Sequence, residues 1–251
     1  MGSVECLLKV FDEIERRIEG SDVVYVKAST LKDFYAWCPI RCYATFVFEN
    51  GSPEDEMRCG ISFDEVVKPK RAEKARILGI IAHGMVIYGF FPVPKSIPTV
   101  EEALRNAKEG HPIPRNIEVA GKVVQVQGAI DIGGVREAPG GLIIGEDKTV
   151  ERGKCIDYYV DEGLLQASIY GWILSPYTKI SRVEVVIKDR YTGEVIYRES
   201  KPFNMLEAEG KVREIIENLL ARRLWRTDKR WRCNNCTYYM RRLCKLSLIH
   251  I

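Results

Sequence analysis

The sequence lacks any apolar run long enough to cross a membrane. Its longest apolar stretch, residues 77–91, is interrupted by His83 and falls short of the roughly 18–20 residues that a membrane-spanning helix needs. The first 17 residues carry acidic side chains throughout, so they do not show the basic and then apolar pattern of a secretory signal. We therefore expect a cytoplasmic protein with no membrane partner.

The sequence also shows no internal repeat, no low-complexity tract and no interdomain linker. Its contents of hydrophobic residues (46%) and charged residues (29%) are ordinary for a globular protein. A chain of 251 residues can bury a core as one elaborated domain. We predict one α/β domain over residues 1–251 with an N-terminal helical addition.

Helical and strand periods alternate along the chain. We predict helices at residues 4–18, from a cap at Ser29 or Thr30 toward Cys38, and at 70–88, 100–107, 157–170 and 206–224. We predict strands at residues 23–27, 117–120, 122–132 and 142–148, and a hairpin of 183–188 with 194–199. Residues 51–55 are predicted to form a surface loop.

The cations of the chain are concentrated near its C-terminus. Residues 222–245 contain nine Lys or Arg residues and one acid, a charge of +8, so the overall charge of +3 leaves −5 for the rest. A basic patch on a mildly acidic body favours a phosphate-bearing partner. A solvated helix face is the alternative.

Two acids and a lysine follow two predicted strands. Asp131 ends one strand, and Glu146, Asp147 and Lys148 lie on the next. Because side chains alternate along a strand, Glu146 and Lys148 share a face and Asp147 points away. If the two strands are neighbours, Asp131 and Glu146 converge on one Mg²⁺ or Mn²⁺ ion beside Lys148, a set suited to phosphodiester hydrolysis. We expect these charges at the tip of a strand that leaves the core; a solvated strand face is the alternative.

Three further residues are candidates for the same site. Gln166 and Tyr170 lie four residues apart on a predicted helix, so they share one face and can contact a phosphate or steady the lysine. An ordinary helix surface is the alternative. His83 lies in an apolar helical segment, where it is either a core histidine or a further metal ligand that favours Mn²⁺.

Taken in order, these residues resemble the RecB branch of the PD-(D/E)xK nucleases. In that branch a helix-borne His, a Gly-x-x-Asp, an acid-x-Lys and a Gln-x-x-x-Tyr line one active site. One departure is that Ile130, and not Pro, precedes the aspartate. The resemblance implies a restriction-endonuclease-like nuclease core. It assigns metal ligation to His83, Asp131 and Glu146, catalysis to Lys148, and support or DNA contact to Gln166 with Tyr170.

The eight cysteines are not expected to form disulfides, because the cytoplasm is reducing. Cys233 and Cys236 form a Cys-x-x-Cys pair and Cys244 follows, so a fourth thiolate would complete a metal or cluster site. The candidates for it are Cys38 and, one helical turn on, Cys42. The chain has no second Cys-x-x-Cys, which excludes a paired-knuckle zinc ribbon. A zinc site of Cys38, Cys42, Cys233 and Cys236 is the alternative.

An early Cys-Pro, the nuclease motifs and three late cysteines together resemble the iron–sulfur branch of the RecB nucleases, which includes the CRISPR-associated exonucleases (Cas family four). The resemblance covers residues 29–244. It implies a cluster, [4Fe–4S] favoured over [2Fe–2S], on Cys38, Cys233, Cys236 and Cys244, within cluster-binding segments 29–47 and 222–251.

The same resemblance implies a function. It predicts a metal-dependent exonuclease that acts on single-stranded DNA or DNA ends and trims DNA in CRISPR spacer acquisition, with the integrase proteins as partners. The alternatives are a RecB-type nuclease of repair, recombination or a virus, and a non-catalytic metal-cluster adaptor that binds DNA. A homo-oligomer is compatible with the sequence.

Basic and aromatic residues interleave around the late cysteines, a mixture that suits single-stranded nucleic acid. Packing of the aromatic rings around the cluster is the alternative. A second basic run, residues 68–76, precedes His83, and we expect the two runs to flank the DNA path. The predicted nucleic-acid contacts are Arg222, Arg226, Arg230, Trp231, Tyr238 and Arg241.

Overall fold

A computed structural model of the chain describes residues 4–67, 96–153 and 155–225, and the single residues 233, 234, 236, 237, 240 and 244. These residues form a mixed α/β fold, as predicted. The predicted helix at residues 70–88, with His83, lies outside the described residues. No helix among the described residues is both long and apolar enough to span a bilayer.

The N-terminal part is a layer of helices around one short strand. Apolar residues at helical spacing in the first helix, Leu7, Val10 and Ile14 among them, are buried against the helices that follow, which confirms the predicted helix. The elements are α1 (Val4–Gly20), β1 (Val23–Lys27), α2 (Ala28–Ala36), α3 (Pro39–Glu49), α4 (Pro53–Cys59) and α5 (Phe63–Val67).

The start of α2 differs from the prediction. The helix begins at Ala28, and its N-cap residue Lys27 provides no side-chain cap, so a cap at Ser29 or Thr30 is wrong. The cap comes instead from the end of α3: Glu49 Oε2 accepts a hydrogen bond from Lys27 N at 3.0 Å, and Glu49 Oε1 accepts one from Thr30 Oγ1 at 2.6 Å. A carboxylate at a helix N-terminus satisfies free N–H groups and the positive end of the helix dipole.

The predicted loop at residues 51–55 is in part helical. Ser52 is the N-cap of α4, and Asp55 completes a capping box with it. The signal was in the sequence, because a Ser with an acid three residues on, and a Pro just after the Ser, is typical of a helix start.

The expectation that the cysteines form no disulfide is wrong for one pair. Cys6 on α1 and Cys59 on α4 are disulfide-bonded, with their Cα atoms 5.6 Å apart, inside the range that a disulfide requires. The two helices pack against each other, and this proximity is a tertiary property that cysteine spacing does not reveal. The other six cysteines keep their thiols outside this disulfide: Cys38, Cys42, Cys155, Cys233, Cys236 and Cys244.

Two small sheets form the rest of the framework. One has the order β1-β3-β2, with β3 parallel to β1 and antiparallel to β2; the other has the order β4-β5-β6-β7, with β5 and β6 parallel and both edge pairs antiparallel. The strands are β2 (Ile113–Val119), β3 (Lys122–Gly128), β4 (Val135–Ala138), β5 (Gly141–Val150), β6 (Ile180–Asp189) and β7 (Val195–Pro202).

Most of these strands were predicted, including the β6–β7 hairpin. The short strand β4 was not, because four residues between glycine turns show too little alternation. A further helix, α6 (Val100–Glu109), precedes β2 and confirms the predicted one.

A central helix joins the two sheets. Helix α7 (Asp157–Leu174) crosses from β5 to the parallel strand β6 and packs against strands of both sheets, and α8 (Met205–Leu220) packs against α7. Glycines allow this close packing: a Cβ atom on Gly128 of β3 would lie 2.7 Å from Ile173 Cδ1, and one on Gly163 of α7 would overlap Val185 of β6 and lie 3.7 Å from Lys148 Cε of β5. The helix therefore lies close enough to β5 for their polar side chains to meet.

Candidate functional site

Four of the predicted residues meet between β5 and α7. Lys148 Nζ donates to Glu146 Oε1 and to Gln166 Oε1, both at 2.8 Å, and Gln166 Nε2 donates to Tyr170 OH at 2.7 Å. Asp147 lies on the other face of β5, where it pairs with Lys188 of β6. The predicted alternation along this strand is therefore confirmed.

Asp131 reaches this group by a route that differs from the prediction. Strands β3 and β5 belong to different sheets, so they are not neighbours. Instead, the loop after β3 folds onto β5: Gly134 N donates to Asp131 O at 2.7 Å, and Gly145 N donates to Gly134 O at 2.6 Å. This links Asp131 to the residue just before Glu146. A Cβ atom on Gly134 would lie 2.7 Å from Gly145 O, so the contact needs a glycine there.

Glu146 is buried in the middle of β5, with 4% of its surface exposed. The predictions of a charge at the strand tip and of a solvated face are both wrong for this residue. Burial, reinforced by the charge of Asp131 and opposed by Lys148, raises the pKa of Glu146 to about 7. Its Oε2 atom is buried and has no hydrogen-bond partner among the described residues. A buried acceptor without a donor is costly, so this oxygen is suited to bind a further group.

Tyr170 closes the inner end of the group. Burial and then the charges of Glu146 and Asp131 raise its pKa well above the ordinary value, so the phenol stays neutral. The shared influence on Tyr170 shows that both carboxylates lie near it.

Two residues of the site were not predicted. Glu162 on α7 pairs with Lys32 of α2 and lies 3.3 Å from Lys148 Nζ through the same oxygen, Oε1. A signal for Glu162 exists in the sequence, because it precedes Gln166 by four residues and so lies on the same helix face. Lys32 has no such signal, since only the packing of α2 against α7 brings it there.

The predicted metal ligands are present only in part. The charge of Asp131 acts on Glu146, and His83 lies outside the described residues. Over the part of the chain that the structure describes, no three His, Cys, Asp or Glu side chains form a group that could hold a metal ion.

Three of the predicted cluster cysteines act on the charge of the fourth, Cys236. Burial raises the pKa of the Cys236 thiol; the Arg41 guanidinium lowers it, and the neighbouring Cys38, Cys233 and Cys244 raise it further. Each of the other three cysteines therefore lies close enough to act on the charge of Cys236. Cys236 N also donates to Cys233 O at 3.2 Å.

Cys42 lies one helical turn from Cys38, with its N donating to Cys38 O at 2.9 Å, but its thiol has a different partner. It is fully buried, and its Sγ donates to Thr30 O at 3.1 Å. Burial and then the charges of Asp33 and Glu49 raise its pKa well above the ordinary value, which keeps it a neutral thiol. The geometry therefore favours Cys38 over Cys42 as a partner of the late cysteines.

The segment of the late cysteines docks on the helical layer. Thr237 Oγ1 donates to Val66 O at the end of α5, and Met240 N donates to Thr237 Oγ1 at 3.1 Å. The Met240 side chain is buried in the core.

Of the predicted nucleic-acid contacts, only Arg222 is described. Its guanidinium lies 2.6 Å from Glu19 and 3.6 Å from Glu15 of α1, so it fastens the end of α8 to the first helix. Nearby, Trp225 packs edge-on against Phe34, with half of its surface exposed. The other predicted contacts lie outside the described residues: Arg226, Arg230, Trp231, Tyr238 and Arg241.

Comparisons with known proteins add little. No protein-family model matches the chain, and no curated protein matches it. Among solved structures, the crystal structure of SSO0001 is similar over 92% of each chain, with a TM-score of 0.46 and 16% sequence identity. A likeness at that level does not define a shared fold or activity.

Proposed function

We propose that the chain is a metal-dependent deoxyribonuclease whose site is the group around Glu146. The observation that carries the proposal is the buried Glu146 carboxylate, whose Oε2 has no donor among the described residues, beside the Lys148 ammonium. In such a pair, the Glu146 carboxylate can bind a metal ion and the Lys148 ammonium provides a positive charge beside that ion.

The residues of this site fit a hard divalent cation. The carboxylates of Asp131 and Glu146 are the oxygen ligands that Mg²⁺ and Mn²⁺ prefer, and a cation would satisfy the buried Oε2 atom. When bound, the ion would polarise a phosphoryl oxygen and lower the pKa of a water molecule. His83 would be the third protein ligand, as the resemblance implies.

Lys148 supplies the charge that stabilises the anionic transition state. Its ammonium is held in place by the hydrogen bonds that it donates to Glu146 and Gln166, so it is positioned before a substrate binds. Gln166 is fixed in turn by Tyr170. Strand β5 and helix α7 thus hold the Lys148 ammonium where negative charge would develop on a bound phosphate.

The finer parts of the proposal rest on the resemblance. They are exonucleolytic action on single-stranded DNA or DNA ends, and trimming of DNA in CRISPR spacer acquisition with the integrase proteins. An iron–sulfur cluster on Cys38, Cys233, Cys236 and Cys244 belongs to the same proposal. The mutual influence of these thiols on Cys236 supports it, since thiolates are the ligands of such clusters.

The test compares two neighbouring residues of β5 on opposite faces. We expect Lys148→Ala to lower kcat/KM for end-labelled single-stranded DNA by about 10²–10³-fold in MnCl2 or MgCl2, as loss of a preorganised donor does. Asp147→Asn, which changes a charge on the other face, should retain the wild-type rate. Thermal unfolding of both variants checks that they fold.

Three results would contradict the proposal. They are cleavage by Lys148→Ala at the wild-type rate, cleavage by the wild type that persists in excess EDTA, and binding of DNA by the wild type with no cleavage. The last result would favour the non-catalytic adaptor.

A further inference from the structure

Glu162 lies between two lysines of the site. One oxygen of its carboxylate pairs with Lys32 of α2 and lies 3.3 Å from Lys148 Nζ. Burial raises the pKa of Glu162, but Lys32 and Lys148 outweigh burial and hold that pKa far below the ordinary value. The carboxylate is therefore ionised, although its side chain is almost fully buried.

Among the described residues, three groups place an oxygen within 3.3 Å of the Lys148 ammonium, and Glu162 is one of them. An ammonium has three N–H donors, and the oxygens within 3.3 Å of Nζ come from Glu146, Gln166 and Glu162. Gln166 is neutral, and Glu146 is the residue proposed to bind a cation. When the Glu146 carboxylate binds the metal ion and no longer pairs with Lys148, Glu162 is the carboxylate that stays in contact with Lys148.

Lys32 fixes Glu162 from the other side. Burial lowers the pKa of Lys32, but the carboxylates of Glu162 and Asp33 outweigh burial and raise it above the ordinary value. Lys32 Nζ lies 3.5 Å from Asp33 Oδ1 in addition to its pair with Glu162. A buried carboxylate held by two cations has little freedom to move toward either one.

We propose that Glu162 is a positioning residue that keeps Lys148 in place when Glu146 binds a metal ion, and that Lys32 holds Glu162 for this purpose. This inference rests on the proposed nuclease function. Neither residue needs to contact DNA, since both act through Lys148.

A binding measurement tests the inference without relying on cleavage. In Glu162→Gln, Lys148 loses a carboxylate and pairs more strongly with Glu146, so the protein should bind Mn²⁺ about threefold to tenfold more weakly by calorimetry. In a Lys148→Met background the same substitution should have a clearly smaller effect. The matched control is Asp161→Asn, which changes the neighbouring, exposed acid on the same helix and should bind Mn²⁺ as the wild type does.

Cleavage provides the second readout. We expect Glu162→Gln and Lys32→Met to lower kcat by about tenfold to a hundredfold, as a misplaced catalytic group does, with little change in KM for single-stranded DNA. Lys32→Arg, which keeps the charge, should restore most of kcat. A purely structural role would not separate kcat from KM in proteins of matched thermal stability.

The outcomes distinguish the inference from the function beneath it. If the wild type binds Mn²⁺ and Glu162→Gln binds it equally well and cleaves at the wild-type rate, the positioning role is wrong and the nuclease stands. If the wild type neither binds Mn²⁺ nor cleaves DNA, the proposed function is wrong, and the positioning role with it.

Discussion

Glu49 in the helical layer and Glu146 in the second sheet are both buried glutamates, yet they differ in what their oxygens contact. Burial raises the pKa of each to about 7. Both oxygens of Glu49 accept hydrogen bonds, from Lys27 N and from Thr30 Oγ1. Glu146 Oε2 accepts none from the described residues. Burial and a raised pKa therefore do not separate the two glutamates; the Glu146 oxygen without a donor among the described residues does.

Two buried cysteines of the same helical layer show a similar contrast. Cys42 points into the core and donates to Thr30 O. Cys38, at the N-cap of α3, lies close enough to influence Cys236 of the late segment. Cys42 and Glu49 therefore hold the layer together, whereas Cys38 and Glu146 are available to bind a further group.

The largest effect expected from this contrast concerns the cysteines. Cys38→Ala should remove the bound iron and the visible absorbance near roughly 400 nm, and lower the free energy of unfolding by about 5 kcal/mol or more, because metal binding is coupled to folding. Cys42→Ala should keep the wild-type iron content, with a cost of about 1–2 kcal/mol for the lost packing and hydrogen bond. Iron analysis and absorption spectra of both proteins, purified without oxygen, measure this.

Cys155→Ala is the matched control, because Cys155 is exposed and should matter for neither property. An equal iron content in Cys38→Ala and the wild type would show that Cys38 is not a ligand of the cluster. A wild-type protein that is colourless and contains zinc would show that the cysteines bind zinc and not an iron–sulfur cluster.

The second effect concerns the two glutamates. With Mn²⁺ at 100 times its Kd, the wild type should gain about 2.7 kcal/mol of stability, measured as a rise in the thermal midpoint. Glu146→Gln should lose this gain, since its amide is a poor ligand for a hard cation, while Glu49→Gln should keep it. An equal gain in both variants would show that the ion binds elsewhere.

The smallest effect is the pH dependence of stability. Because the folded-state pKa of Glu49 is raised from 4.5 to about 7, the folded protein binds more protons than the unfolded chain between these values, and stability falls as pH rises through them. In Glu49→Gln, the decrease in the free energy of unfolding with rising pH should be smaller by about 2 kcal/mol or less. Urea unfolding at pH 5 and pH 8 measures it, and Glu101→Gln, in the exposed first turn of helix α6, should leave the slope unchanged. An unaltered slope in Glu49→Gln would show that its carboxyl is not protonated in this range.

Much of the local structure follows from the sequence. The helical spacing of Leu7, Ile14 and Ile18 predicts α1, and the turn before Val195 predicts the β6–β7 hairpin; both are present. Strand alternation also placed Glu146 and Lys148 on one face. These features depend on residues a few positions apart, where backbone geometry alone sets the side-chain direction.

The sequence by itself determined which residues share a helix face or a strand face, and it named the acids, the lysine and the late cysteines as candidates. Only the tertiary structure decided their partners: the route of Asp131 through Gly134, the Glu162–Lys32 pair, the Cys6–Cys59 disulfide and the cap that Glu49 gives α2. The physical reason is that a buried polar group is paired across a packing interface, often with a residue far away in the chain. A local sequence pattern does not specify which distant residue that partner is.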